Sequence, residues 1–492
     1  MGNSIASAAL ICWPLVALAM FLLVPARKAI VWSILGGYLF LPTIVRFDFP
    51  GVPPFDKDSI PALATFVLAM GLSKRGEFKW PSNPLVNGLM LLFVITPFFT
   101  GLTNQAPVVV GRLFIPGMTL YDSLSASVGN MIILLPFILG AGFLRNERSH
   151  RDLLVIYVIL ALIYSLPVLY EIRMSPTFMN RVYGLIDINY FLQSLRDGGY
   201  RAMVFLGHGL LVSTFIALGI VAAAGLMRQR VRIAGISAAL ALAVLAVVLV
   251  LNKSTGAIVL ALLIAPALYL LPTRRFITIG FIISMIVLMY PMLRGANLVP
   301  TDQIQRLATS FSSDRGSSLK FRTENETLLL GRVAEKPVFG WGIFGRNRIA
   351  VDNGWSVTDI TVTDGTWIIA IGQYGWVGYI AMFGLLSYPF FNLFRNRKQD
   401  VSLASVTLLA MMLLNLVDLL PNSSLRPMTW LIAGALSSLV AARQGAQRRQ
   451  TSRAPTYQMS RSSFDWEQAG QAGSVLSDAE QIKPSVRAPS TD

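Results

Sequence analysis

Apolar stretches of about twenty residues recur along most of this chain, separated by short polar joints, and that pattern leaves few folds open. A helix needs about 20 residues to cross the roughly 30 Å hydrocarbon core of a bilayer. About thirteen such runs are legible, near residues 5–24, 29–45, 59–72, 85–103, 125–144, 153–170, 202–227, 233–251, 257–271, 276–292, 366–391, 401–420 and 428–442. With 54% hydrophobic residues, only 13% charged ones and a mean hydropathy of +0.60, the chain departs from an ordinary soluble enzyme, which is about a quarter charged. Alternating ten-residue segments, the mark of a transmembrane β-barrel, are not visible. The expected fold is all-α, a polytopic transmembrane helical bundle of about 12–13 spans.

Charge orients the bundle. Arg27-Lys28, then Lys74-Arg75 with Lys79, then Arg145, Arg148 and Arg151 fall in alternate joints. Arg228, Arg230 and Arg232 continue the series, followed by Arg274-Arg275, by Arg395, Arg397 and Lys398, and by Arg443, Arg448 and Arg449. Lys and Arg concentrate in cytoplasmic loops, so the joints between these clusters belong outside: 46–58, 104–124, 171–201, 252–256, 293–364 and 421–427. The expected organisation is ten spans over 1–292, an outside loop domain over 293–364, three spans over 365–442, and a cytoplasmic tail over 443–492. The tail is rich in Ser, Gln, Ala and Arg without a hydrophobic period, the composition of a disordered segment. The net charge of +16 sits mostly in the joints, so it does not point to nucleic acid. Cys12 is the single cysteine, which excludes an intramolecular disulfide and a Cys/His zinc pattern. Residues 5–24 lack a basic lead-in and a clear cleavage site, and read as a retained span.

The outside loop 293–364 carries Arg306, Arg315, Arg322, Arg332, Arg346 and Arg348. Long translocated loops are exempt from the avoidance of basic residues, and a basic, tryptophan-containing loop suits an anionic, lipid-linked substrate. Residues 317–336 read as an amphipathic helix with Leu319, Leu328, Leu329, Leu330 and Val333 as its apolar positions, stopped by Pro337. Phe339-Gly340-Trp341-Gly342-Ile343-Phe344-Gly345 satisfies G-x-G-x-x-G, but no strand precedes it; a turn that needs glycine conformations, with aromatics packed at the membrane surface, is the expectation. Arg201 opens the seventh span, His208 is expected about two turns inside it, and Lys253 in the turn 252–256 adds a cation near Arg201. Asn415 and Asp418 lie near the outer end of the twelfth span, where an acid needs a partner or a wet cavity. Asp56-Lys57-Asp58 has the D-x-D form of a metal motif, at a spacing expected of a solvated loop.

Many spans, one long outside loop, and the series Arg322, Arg332, Pro337-x-x-Gly340-Trp341-Gly342, Asp364-Gly365 and Gly375-Trp376-Val377-Gly378 resemble the O-antigen ligase and O-antigen polymerase superfamily. The segment from Arg201 to His208-Gly209 and the turn 252–256 fall where that superfamily has an Arg-containing helix start and a Ser/Arg turn. The likeness covers most of residues 30–440 in layout, with specific matches at these three places. It implies a fold like that of GT-C glycosyltransferases, with one partly helical periplasmic loop, in the bacterial inner membrane and with the active site facing the periplasm. The implied reaction is metal-independent and cofactor-free: a glycan passes from an undecaprenyl-diphosphate carrier to a hydroxyl of an acceptor glycan or glycolipid, with the lipid bilayer and a chain-length regulator as further partners. By the resemblance, Arg322 and Arg201 clamp the diphosphate and Asp364 takes the acceptor proton, while Arg332, Arg315, Lys253, His208 and Trp341 contribute to substrate binding.

Two positions depart from the ligase pattern. Ligases of the superfamily place His-Asn where this chain has Asp364-Gly365, and Ser-Arg where it has Lys253-Ser254; the first departure favours a polymerase or exopolysaccharide-type relative. The rival of a different class is a transporter or flippase for a lipid-linked or anionic solute. That reading calls for paired broken helices and charges at mid-membrane depth, whereas most charges outside the cytoplasmic joints lie near the outer face.

Overall fold

The computed structural model describes residues 3–49, 52–185, 188–196, 198–311 and 313–439. The chain divides into two units, Met1–Gly445 and Ala446–Asp492; the second, with nearly all of the tail expected to be disordered, lies outside the described residues. Seventeen helices occur among the described residues. The first eight are α1 (Ser4–Leu23), α2 (Ala26–Phe40), α3 (Ser59–Leu72), α4 (Pro84–Leu102), α5 (Leu120–Phe143), α6 (Glu147–Met174), α7 (Phe178–Tyr183) and α8 (Ile188–Ser194). Then come α9 (Gly209–Arg228), α10 (Ala238–Leu251), α11 (Thr255–Leu270), α12 (Thr273–Gly295), α13 (Thr301–Phe311), α14 (Ser313–Glu335), α15 (Thr366–Arg395), α16 (Leu403–Asp418) and α17 (Pro427–Ser437). Strands are limited to small antiparallel hairpins, among them β1 (Val108–Val110) with β2 (Leu113–Ile115). Between α14 and α15, the strands Ala350–Asp352 and Val357–Asp359 form another.

Each expected span coincides with a helix, from α1 to α6, α9 to α12 and α15 to α17. Seven of them (α1, α4, α5, α6, α9, α12 and α15) are long and apolar enough to cross a membrane. The chain is a multi-pass helical membrane protein. Five others are apolar but hold only 10–17 residues; at about 1.5 Å of rise per residue they reach at most roughly 26 Å. The starts of several spans are written locally. Asn83 caps α4 ahead of Pro84, and Thr119 with Asp122 and Asn146 with Ser149 form capping boxes on α5 and α6, satisfying amides that the first turn leaves open.

One apolar helix occupies the centre, and others leave apolar faces outward, as a chain surrounded by lipid allows. Helix α9 is packed by α6, α10, α11 and α16, and its residues from Val212 to Leu226 are all buried. The joints sort into two sets that meet at opposite ends. At one end Arg27 pairs with Asp152 at 2.7 Å, His150 bonds Ser405 Oγ at 2.9 Å, and Arg228 donates to the carbonyls of Leu268 and Leu271. These are the basic joints. At the other end the segments 41–58, 103–119, 175–208, 252–254, 296–365 and 419–426 come together, and the candidate site lies there.

Helices α5 and α17 make the tightest crossing. A Cβ on Gly140 would strike the Leu431 carbonyl, and one on Gly434 would strike the Phe137 carbonyl. Small residues let two backbones touch where apolar surroundings provide no hydrophobic drive between helices. Gly434→Leu should push α17 off α5 at a cost of about 1–3 kcal/mol, read as a lowered thermal midpoint in detergent. Gly256→Leu, where a Cβ meets open space, should leave the midpoint unchanged.

Candidate functional site

The glycine-rich motif turns out to be a clasp. Gly375 breaks α15 with φ +64° and ψ −166°, which frees carbonyls and amides in mid-helix. The turn 337–342 fills them. Trp341 N donates to Gly372 O at 2.9 Å and Gly342 N to Gln373 O at 2.9 Å, while Trp376 N donates to Pro337 O at 2.8 Å and Val377 N to Val338 O at 3.2 Å. Gly340, at φ +70°, lies so close to this kink that a Cβ would enter the Gln373 carbonyl. Thr100 Oγ1 and Asn104 Nδ2 from the end of α4 bond the Phe339 and Gly340 carbonyls at 2.7 and 2.9 Å. The expected glycine turn is therefore present, and it anchors the C-terminal end of α14. Arg294 on α12 grips the same helix further back, at Thr323 O (3.0 Å), Thr327 Oγ1 (2.9 Å) and Glu326 Oε2 (3.4 Å). These bonds fall in the turn that follows Arg322.

A second support holds residues 201–208. They are not helical: Val204 and Gly207 have φ of +44° and +74°, and α9 begins only at Gly209. Buried side chains take up the backbone groups that a helix would have satisfied. Asn252 Oδ1 accepts from Ala202 N at 2.8 Å. Glu171 Oε2 accepts from Met203 N and Val204 N, both at 2.8 Å, and its Oε1 accepts from Phe178 N at 2.8 Å. Tyr164 Oη accepts from Phe205 N at 3.1 Å, and Lys57 Nζ donates to Phe205 O at 2.8 Å. His208 is thus the N-cap of α9, its Nδ1 accepting from Leu210 N at 3.1 Å and its Nε2 facing Gln193 Oε1 at 3.0 Å. The expectation of a histidine two turns inside a span is corrected, because Glu171 and Asn252 stabilise an extended entry in place of those turns.

Between the two supports lies a cavity of about 680 Å³. Arg322, Arg348, Arg426 and Lys57 line it, with Asp364, Asp58, Asp56 and His208. Each arginine is matched to a carboxylate. Arg322 Nε lies 3.2 Å from Asp364 Oδ2, Arg348 Nη1 lies 2.8 Å from Asp359 Oδ2, and Arg426 Nη1 lies 3.5 Å from Asp58 Oδ2. All three pairs are partly open to solvent, so each holds its partners weakly. Burial first, and then the nearby Arg201 guanidinium, lowers the His208 pKa and favours the neutral ring. Lys57 makes no ion pair with a described residue; burial pulls its amine down to about 7, against the opposing charge of Asp58.

Of the residues expected at the site, Arg322, Asp364 and His208 meet in this cavity. Arg201 lies behind His208, buried, with Nη2 bonded to the Lys253 carbonyl at 3.3 Å. Lys253 is indeed beside Arg201, but its amine goes to the Arg196 carbonyl at 3.0 Å and not to the cavity wall. Arg332 and Trp341 are placed elsewhere. The Arg332 guanidinium stacks 3.3 Å from the Trp341 ring centroid and pairs with Glu335 at 2.6 Å, and the indole nitrogen donates to Arg332 O. They form a packing unit beside the clasp, because a buried indole takes up the guanidinium face that substrate binding would have used. Arg315 is in α14, and its side chain lies outside the described residues. Arg346 is buried and bonded to the carbonyls of Pro116 and Ala106, a tie between loops.

Sequence reasoning missed the opposite wall. Asp56-Lys57-Asp58 is no solvated loop: Asp56 Oδ1 accepts from Asp58 N, Ser59 N and Ser59 Oγ ahead of α3, Lys57 is buried, and Asp58 faces Arg426. The two carboxylates are committed separately and do not converge as metal ligands would. Arg426 and Arg348 carried no signal beyond their charge. Asp418 found the partners its position demanded, accepting from Asn422 Nδ2, Ser424 Oγ and Thr214 Oγ1 at 2.7, 2.6 and 3.1 Å. Compared with family models, curated proteins and solved structures, the chain matches none.

The loop-holding role of Glu171 is open to test. Glu171→Ala leaves the Phe178, Met203 and Val204 amides without their acceptor. Buried unsatisfied donors cost roughly 1–3 kcal/mol each, so the variant should melt well below the wild type in detergent and expose 201–208 to proteolysis. Glu171→Gln, which retains one carbonyl acceptor, should fall between the two.

Proposed function

We propose that this chain is a metal-independent membrane glycosyltransferase of the polysaccharide polymerase or ligase type. It would transfer a glycan from an undecaprenyl-diphosphate carrier to a hydroxyl of an acceptor glycan or glycolipid. The observation that carries the reading is the cavity in which Arg322, Arg348 and Arg426 stand in solvent-touched ion pairs around one space. It is built from the loops that the charge pattern assigns to the outer side, in the bacterial inner membrane the periplasmic one. A planar guanidinium fork binds phosphate oxygens in two-point fashion. A diphosphate, with more charge and more acceptor oxygens than a carboxylate, would displace Asp364 from Arg322 and Asp58 from Arg426 at little cost.

The chemistry follows from that exchange. As the bond from the anomeric carbon to the diphosphate breaks, negative charge grows on the leaving oxygen, and fixed cations around it stabilise the transition state more than the ground state. Arg322 is the principal candidate, held by the Arg294 grip and the clasp. Arg201 would act from behind His208, keeping the ring neutral while adding positive field. Asp364, released from Arg322, would accept a hydrogen bond from the acceptor beside the attacking hydroxyl and so orient it. An aspartate there, where the superfamily's ligases carry histidine, favours chain growth on a carrier-linked repeat over transfer to a lipid core.

Purified protein in vesicles, supplied with labelled carrier-linked glycan, should form a new glycosidic bond, seen as a ladder or a shifted acceptor on a gel. Arg322→Ala should lower that rate on the order of a hundredfold or more with an unchanged thermal midpoint. Full activity in both Arg322→Ala and Arg201→Ala would sink the assignment. Equilibration of the labelled carrier across the vesicle without a new bond would instead establish the transporter or flippase.

A further inference from the structure

We infer that Lys57 is a catalytic residue of this cavity, the group that takes the proton from the attacking hydroxyl; this rests on the glycosyl-transfer reading above. Several observations lead there. Lys57 is only 6% exposed yet lines the cavity opposite Arg322 and Asp364. Its amine is fixed at two points, by the bond from Nζ to Phe205 O at 2.8 Å and by the Tyr38 ring, whose centroid lies 5.4 Å away. Each arginine around the cavity has a carboxylate to neutralise it, and Lys57 has a neutral carbonyl. A fixed guanidinium stays charged in either case, whereas a buried amine can shed its proton.

The groups facing this amine come from every element packed on it. Asp56 and Asp58 lie on its own loop, Tyr38 is on α2, Arg426 precedes α17, and the segment before α9 presents the Phe205 carbonyl. Burial and the Arg426 guanidinium disfavour the ammonium, Asp58 and Asp56 favour it, and burial wins, leaving the amine near 7. A base works best when its pKa is close to the working pH. The neutral amine would keep one N–H on Phe205 O and point its single lone pair at the hydroxyl. Asp364, paired with Arg322 until the donor displaces it, holds the acceptor through a neighbouring hydroxyl and leaves the attacking one to Lys57.

The step balances without another reagent. The hydroxyl oxygen forms the new bond to the anomeric carbon, the bond from that carbon to the diphosphate oxygen breaks, and its electron pair leaves with the diphosphate. The hydroxyl proton moves to Lys57 Nζ, and the resulting ammonium returns it to water in the cavity before the next cycle.

Two measurements decide the matter. Competitive acetylation of the intact protein from pH 5.5 to 9.5, read by mass spectrometry, should show Lys57 reacting with an inflection near 7. The exposed Lys74 and Lys79 serve as references for amines outside the cavity. In the transfer assay, wild-type turnover should rise through the same pH range. Lys57→Arg keeps a cation and a donor for Phe205 O but does not give up its proton; it should lose on the order of a hundredfold in turnover and its pH limb, with donor binding little changed. Lys57 reacting in step with the surface lysines, or Lys57→Arg keeping wild-type turnover and pH limb, would overturn the inference. A wild type that forms no glycosidic bond would defeat the function reading, and the acetylation profile alone would then decide whether the cavity holds a neutral amine.

Discussion

Everything around the cavity depends on one requirement: backbone that leaves the helix inside an apolar bundle must find hydrogen-bond partners within the protein. Residues 201–208 meet it with side chains. Glu171, Asn252, Tyr164 and Lys57 each take a backbone group of that segment, and none of the four belongs to it. The segment is therefore fixed from α6, the end of α10 and the loop before α3 together. Because it is fixed, Arg201 can remain buried and His208 can cap α9 at the edge of the cavity. A helix through the same residues would have satisfied its own backbone and turned these side chains elsewhere.

The other wall uses the same device in reverse. There the helix α15 is broken at Gly375, and main chain from 337–342 repairs it. The repair joins α14 to α15 at one point, and Arg294 joins α14 to α12 at another. Arg322 thus projects from a helix held just beyond its turn by Arg294 and again at its C-terminal end, while Asp364 precedes the first turn of α15. The packing of these three helices fixes the place where Arg322 and Asp364 meet.

The sequence made the helices legible because span length and the alternation of basic joints are properties of single segments. It also brought Arg201 and Asp364 to notice at the outer ends of spans, and Arg322 on the amphipathic stretch of the outside loop. What stayed hidden depended on pairs far apart in the chain. Nothing near Asp56-Lys57-Asp58 announces that Lys57 will meet Phe205 or that Asp58 will meet Arg426, so the loop read as solvated. The arginines of the long loop had a shared composition but different fates: Arg322 and Arg348 line the cavity, Arg346 is buried between loops, and Arg332 lies on Trp341. Charge counting cannot separate them, since the difference is made by which carbonyl, ring or carboxylate the fold delivers to each.

That divergence bears on the motif that drew attention first. Pro337-x-x-Gly340-Trp341-Gly342 and Gly375-Trp376-Val377-Gly378 contribute backbone geometry, and Trp341 is spent on Arg332 and its carbonyl. Their value lies in joining two helices at a fixed angle, which any substrate of the cavity could exploit. Lys57, Asp58, Arg348 and Arg426, which line the cavity, all lie outside that motif. The pairing of each arginine with an acid adds a further restraint: a monovalent anion would gain little by displacing a carboxylate of equal charge, whereas an anion of higher charge could engage more than one guanidinium at once.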